Sequence, residues 1–165
     1  RLSGEVVRAC LDDLADVGVA AVESVPAGLD AWTFAQDPLY AIVPRGHPVG
    51  ETDRVAFEEL LQFPLVCIQP GGALDRLLRE RAAAAQQPLK VAVTVNSFDA
   101  VCRMVEAGMG IAVVPRSAAT AYAGTSPFEL RPLTNAWADR ALTLVSLKKS
   151  PRRAAVQALL DALRA

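Results

Sequence analysis

The chain has little of what most chemistry needs. Of its 165 residues three are cysteine (Cys10, Cys67 and Cys102) and one is histidine, His47. The cysteines are far apart, in apolar surroundings, with no Cys-x-x-Cys and no Cys/His cluster. That excludes a zinc site and points to buried thiols in a reducing compartment. No apolar stretch approaches the ~18 residues that span a bilayer, and Arg1-Leu2-Ser3-Gly4 opens without an apolar signal region. We therefore expect a cytoplasmic protein that does not engage a membrane. Basic charge is not in excess either: the net charge is −1 and the pI about 5.9, whereas nucleic-acid-binding domains usually exceed a pI of ~9. This chain is not expected to touch DNA itself, and the basic run Lys148 to Arg153 reads as a turn and a solvated helix start. There is no Gly-x-Ser-x-Gly elbow, Walker loop or dinucleotide glycine fingerprint. Paired acids such as Asp12-Asp13 and Glu58-Glu59 are neighbours on helices and do not face one another. No catalytic residue, cofactor or metal is expected.

What is present is a well-patterned apolar chain, 52% hydrophobic, long enough for one ordinary domain or two small lobes. Helical and extended patterns alternate. Helices are expected over Ser3 to Leu14, Phe57 to Leu61, Leu74 to Gln86, Phe98 to Ala107 and Ser117 to Ala123, with a last one capped by Ser150 and opened by Pro151. Strands are expected over Val17 to Val22, Trp32 to Gln36, Leu39 to Val43, Pro64 to Ile68, Leu89 to Val95, Ile111 to Val114, Phe128 to Leu133 and Leu142 to Leu147. The alternation predicts α/β layers with a mainly parallel sheet.

The richest stretch runs from Val95 to Pro115. Ser97 or Asn96 can cap a helix start. Phe98, Val101, Cys102 and Val105 recur on one helical face. Gly108 stands where a helix ends in a left-handed residue, and Ile111 to Val114 is an unbroken apolar run, as for a strand covered on both sides. Free N–H groups at such a helix start, just past a strand end, suit a small anionic ligand.

Here a family becomes recognisable. Glu106-Ala107-Gly108-Met109-Gly110-Ile111-Ala112-Val113-Val114-Pro115 resembles the Ala-Gly-Leu-Gly-Ile-Ala signature of the effector-binding domain of LysR-type transcriptional regulators. Leu14-Ala15-Asp16-Val17-Gly18-Val19 is similar to that family's Leu-Asp-Leu-Ala-Ile strand, and Val43-Pro44-Arg45-Gly46-His47-Pro48-Val49 to its strand followed by His-Pro-Leu. The resemblance spans essentially the whole chain. It implies two Rossmann-like lobes joined by two crossing strands, as in type 2 periplasmic binding proteins. Lobe I would combine residues 1–37 and 139–165, without the family's opening strand, helix and strand. Lobe II would be residues 38–138, with crossings near Gln36 to Tyr40 and Trp137 to Leu142. A peroxide-sensing branch carries a cysteine where this chain has Pro70-Gly71-Gly72-Ala73, so that role is not expected.

The resemblance also implies an interlobe cleft at the C-terminal ends of the lobe II strands. Two helix starts would converge there, one after Ile68 and one after Val95. Gln69, Gly71, Gly72 and Ala73 would contribute from the first, and Asn96, Ser97 and Phe98 from the second. The backbone amides of Gly72 and Ser97 would point at the ligand, and Ala20, Ala21 and Val22 would form the opposite wall. Phe98 fits core and cleft equally. Gly108, Gly110 and a solvated loop His47 read as structural, and Trp32 and Trp137 as hinge packing.

The expected protein is the effector-sensing part of a LysR-type regulator. It would bind a small anionic organic effector. It would form dimers or tetramers, through Ser3 to Leu14 and Leu74 to Gln86 if their apolar faces are not spent on the core. It would reach DNA only through an N-terminal domain outside this chain. A transporter's solute-binding protein and an enzyme on the same scaffold are the alternatives.

Overall fold

The computed structural model describes residues 3–22, 24–122, 128–148 and 153–164. Two compact units emerge, one made of Arg1–Gln36 with Ala141–Ala165, the other of Asp37–Arg140.

The first unit contains α1 (Ser3–Leu11), β1 (Val17–Ala20), β2 (Leu29–Gln36), β8 (Ala141–Leu147) and α6 (Ala154–Arg164). Its strands pair in the order β1-β8-β2, both pairs antiparallel. Val7 and Cys10 of α1 share a core with Ala20, Leu29 and Val145 of the strands. The expected Ser150 cap and Pro151 opening of α6 lie outside the described residues.

The second unit contains β3 (Leu39–Pro44), α2 (Phe57–Leu60), β4 (Leu65–Ile68), α3 (Ala73–Ala84), β5 (Val91–Val95), α4 (Phe98–Glu106), β6 (Ala112–Pro115), α5 (Arg116–Thr120) and β7 (Phe128–Pro132). β4 and β5 are parallel, and β3 lies antiparallel between β6 and β7. β4 joins β6 through a parallel bridge, Leu65 to Ile111, with Val66 N–H donating to the Ile111 carbonyl at 2.8 Å. The strands thus follow the order β5-β4-β6-β3-β7.

The expectation of a mainly parallel sheet fails. The first unit's sheet is antiparallel, and β3 opposes both its neighbours. Unbroken apolar runs report burial on two faces, not strand direction, and that is why the sequence misled here.

Burial on two faces itself is observed. Successive residues of the central strands serve different cores. Leu65, Cys67, Ile111 and Val113 face one cluster with Leu74, Leu78 and Ala82 of α3. Val66, Ala112 and Val114 face another with Val101, Cys102 and Val105 of α4. This is the period-two geometry of a strand, and it places α3 and α4 on opposite faces of one sheet. Burying each leucine, isoleucine or valine among them is worth about 1.5–3 kcal/mol.

Helix ends follow local rules. Gly108 (φ +72°) closes α4, with Gly108 N–H to the Val105 carbonyl and Met109 N–H to that of Met104, the paired bonds of a Schellman stop. Gly110 is needed for space, since a Cβ there would come within 2.5 Å of the Pro64 carbonyl oxygen.

Leu74, Leu78 and Ala82 of α3 and Val7 and Cys10 of α1 are buried in the cores, whereas α1 ends at Leu11, short of the expected Leu14, which is 81% exposed. Trp137, expected as hinge packing, stands edge-on to Phe57 beneath the Arg81 guanidinium, in the first core of the second unit. All three cysteines are free and buried.

Candidate functional site at the ends of β4 and β5

β4 and β5 are adjacent and parallel, so the chain leaves both at the same end of the sheet. It then turns to opposite faces, into α3 and into α4. Outside the carboxyl ends of two such strands an α/β sheet has its natural binding crevice. The two turns are tied together, since the Gln69 N–H donates to the Val95 carbonyl at 2.8 Å. The structure therefore brings Gln69, Gly71, Gly72 and Ala73 together with Asn96, Ser97 and Phe98.

Their roles differ from the expected ones. The Gly71 and Gly72 amides are already engaged. Gly71 N–H donates to the Asp75 carboxylate at 2.9 Å, and Gly72 N–H to the Gln69 carbonyl at 3.2 Å. Gly72 is the N-cap of α3 and has no side chain to cap with. The donors of α3 that remain for a ligand begin at Ala73 and Leu74, one residue later than expected. At α4, Ser97 is the N-cap, and its Oγ accepts from the Ala100 N–H at 3.2 Å. Phe98 and Asp99 hold the first free amides there. Gln69, Asn96 and Ser97 are exposed, leaving the Gln69 and Asn96 carboxamides at the surface. Phe98 is half-buried and touches both cores, which makes it a floor between the two helix starts.

Asp75 is the residue sequence reasoning missed. It is 5% exposed, and its second oxygen accepts from Arg79 Nε at 2.9 Å. Asp99 does the same with Arg103 at 3.0 Å on α4. Each helix start thus carries an acid paired with an arginine one turn on. Asp75 sits at the third helical position, where an acid commonly reaches back to a free amide; that position was the available signal. The arginine bound by Asp99 is held in its charged form, its pKa raised above the usual value chiefly by that hydrogen bond. Below this loop the Cys67 thiol is pushed up by burial and by the Asp75 charge. Cys102 is pushed up to about 11, mainly by burial. Neither is a ready nucleophile.

In the other unit, Ala20 ends β1 and is buried. Ala21 donates its N–H to Ser3 Oγ at 3.2 Å, and Val22 packs on that unit's core. His47 is less solvated than expected. Its ring nitrogen Nδ1 accepts from the Val49 N–H at 3.2 Å, and its ring meets Phe63 edge-on at 4.6 Å. Among the described residues no group of histidine, cysteine and acid side chains could hold a metal.

Residues 1–165 match the LysR substrate binding domain family. The chain belongs to that family. One LysR-type relative is the probable nitrogen assimilation transcriptional activator of Synechococcus elongatus, 25% identical over 141 residues, which cover 86% of this chain and 46% of that protein. The chain spans less than half the length of curated relatives it matches. Two solved structures share the fold. The Synechocystis PCC6803 CcmR regulatory domain in complex with 2-PG has a TM-score of 0.87 at 16% identity, covering 99% of this chain and 78% of that one. The effector binding domain of QuiR in complex with shikimate has 0.81 at 16% identity, covering 99% and 77%. The relatives are transcriptional regulators, not enzymes or transporter components. No helix among the described residues is long and apolar enough to cross a membrane.

Proposed function

We propose that this chain is the effector-sensing part of a LysR-type transcriptional regulator and that it binds a small organic anion at the ends of β4 and β5. The observation that carries this reading is the pair of parallel strands whose following helices start on opposite faces of the sheet, in a chain of this family. Ala73, Leu74, Phe98 and Asp99 offer backbone donors. Gln69 and Asn96 offer carboxamides, Gly71 and Gly72 shape the first turn, and Ser97 holds the second. Phe98 presents an apolar surface to the body of the ligand. The family resemblance adds Ala20, Ala21 and Val22 of the first unit to the binding set. Lobe I is the first unit, Arg1–Gln36 with Ala141–Ala165, and lobe II is the second, Asp37–Arg140. The regulator works in the cytoplasm as a dimer or tetramer and contacts DNA through a segment outside this chain. Binding is coupled to DNA contact by about 1–3 kcal/mol, the usual size of such linkage.

Titration calorimetry with 2-PG and with shikimate tests the site. Binding of either, weakened at least tenfold by Ser97→Glu, supports it, because the new carboxylate would stand where a ligand anion must. Equal affinity in the variant removes the α4 start from the site.

A further inference from the structure

The turn between β4 and α3 is held on both sides by the helix that follows it. The Asp75 carboxylate accepts the Gly71 N–H at 2.9 Å, and Nη1 of the Arg76 guanidinium donates to the carbonyl of the same residue. Arg76 is exposed and stands at the fourth position of α3. By reaching back over the first turn it brings its charge to the Gly71 turn of the site. The charges around it are balanced. Asp75 is paired with Arg79 and Asp99 with Arg103, and Arg81 lies over the Trp137 ring. Among the described arginines of α3 and α4, Arg76 is the one that neither pairs with a carboxylate nor lies over a ring. Arg116, at the end of β6, opens α5, where Asp37 accepts the next amide, that of Ser117, at 2.9 Å.

We propose that Arg76 is a specificity-determining residue of the effector site, selecting ligands with two anionic groups over ligands with one; the inference rests on the function proposed above. Each helix start contributes about half a positive charge through its free amides, which suits a single carboxylate or phosphate. The acids of the two first turns are each neutralised by an arginine one turn on, so they do not repel a second anionic group. Arg76 is the cation left to meet it. A guanidinium carries five N–H donors in a planar fork that matches carboxylate and phosphate oxygens, and the Gly71 carbonyl occupies Nη1 alone. The fork can therefore take an anionic group without releasing the turn. Gly71 leaves room beside it, since the residue is exposed and a Cβ built there would meet nothing within 4 Å. Water screens an exposed pair of this kind, so its effect on affinity is up to about fivefold.

The test uses the whole chain, with succinate and butyrate as probes, because the two are of equal length and differ in the second carboxylate. Each is titrated at neutral pH and matched ionic strength while NMR follows the amides of Ala73, Leu74, Phe98 and Asp99 together with the Arg76 Nε–H. The native protein is expected to bind succinate about fivefold more tightly than butyrate, and succinate alone is expected to move the Arg76 Nε–H. Arg76→Gln keeps a donor for the Gly71 carbonyl but no charge; it is expected to lose the preference with its butyrate affinity unchanged. Arg76→Lys, which keeps the charge, is expected to retain most of the preference. Equal affinity of the native protein for the two probes, or a preference that survives in Arg76→Gln, overturns the assignment of Arg76 and leaves the site standing. If neither probe moves any of the four amides, the proposed site falls, and this inference with it.

Discussion

The Asp75 carboxylate accepts the backbone N–H of Gly71, four residues earlier, at 2.9 Å. One buried side chain therefore sets the shape of the turn between β4 and α3. Asp75→Ala would hand that amide, on the exposed Gly71, to water and free Arg79. We expect a loss of about 0.5–1.5 kcal/mol, the net worth of an ordinary hydrogen bond. The Arg79 contact adds little, since that guanidinium is half exposed and screened by water. Asp75→Asn keeps an acceptor and should lose clearly less. Urea unfolding of the three proteins measures both differences.

Ser97 caps α4 through a single bond to the Ala100 N–H. Ser97→Ala should cost about 0.5–2 kcal/mol and Ser97→Gly only a few tenths. Thermal unfolding checks the ranking. A Gly variant as damaged as the Ala variant would mean that more than the cap is lost.

Gly108 and Gly110 should respond differently to alanine. At Gly108 there is open space around the new methyl and only the left-handed φ to oppose it, a strain of about 1–2 kcal/mol. At Gly110 the methyl meets the Pro64 carbonyl on top of an unfavourable φ of +151°, so the bridge between β4 and β6 must shift. We expect a loss well above that of Gly108→Ala, read from denaturant midpoints at unchanged m-value.

His47 should make stability fall as the solution is acidified. Burial lowers its pKa below the usual 6.5, and a protonated Nδ1 could not accept the Val49 N–H. The unfolded chain takes up its proton near pH ~6.5, while the folded chain resists until lower pH. The neutral ring thus contributes stability above ~6.5 that is lost progressively as pH falls toward the folded value. The melting temperature between pH 7.5 and 5 should drop more steeply in the native protein than in His47→Asn.

The sequence carries α4 almost complete. Its cap, its apolar face and its glycine stop are local features, each set by residues within four positions of one another. The placement of Gln69 beside Asn96 and Ser97 was legible for a related reason, because strand–turn–helix text fixes where a helix starts. What stayed hidden was non-local. That Asp75 occupies the Gly71 amide depends on how deeply α3 seats on the sheet, and that moved the available donors to Ala73 and Leu74. That Asp37 answers to Ser117 requires two segments 80 residues apart to meet. The opposed direction of β3 leaves no mark on a strand whose two faces are both apolar.

The two-sided role of β6 has a consequence for how this gene can vary. Ile111 and Val113 serve one core, Ala112 and Val114 the other. Deleting one codon there would exchange the two sets, pressing an isoleucine into an alanine's niche and leaving a hollow behind it. Such a segment can drift in spelling but not in length, so insertions and deletions among descendants of this chain belong in the connections on either side of it.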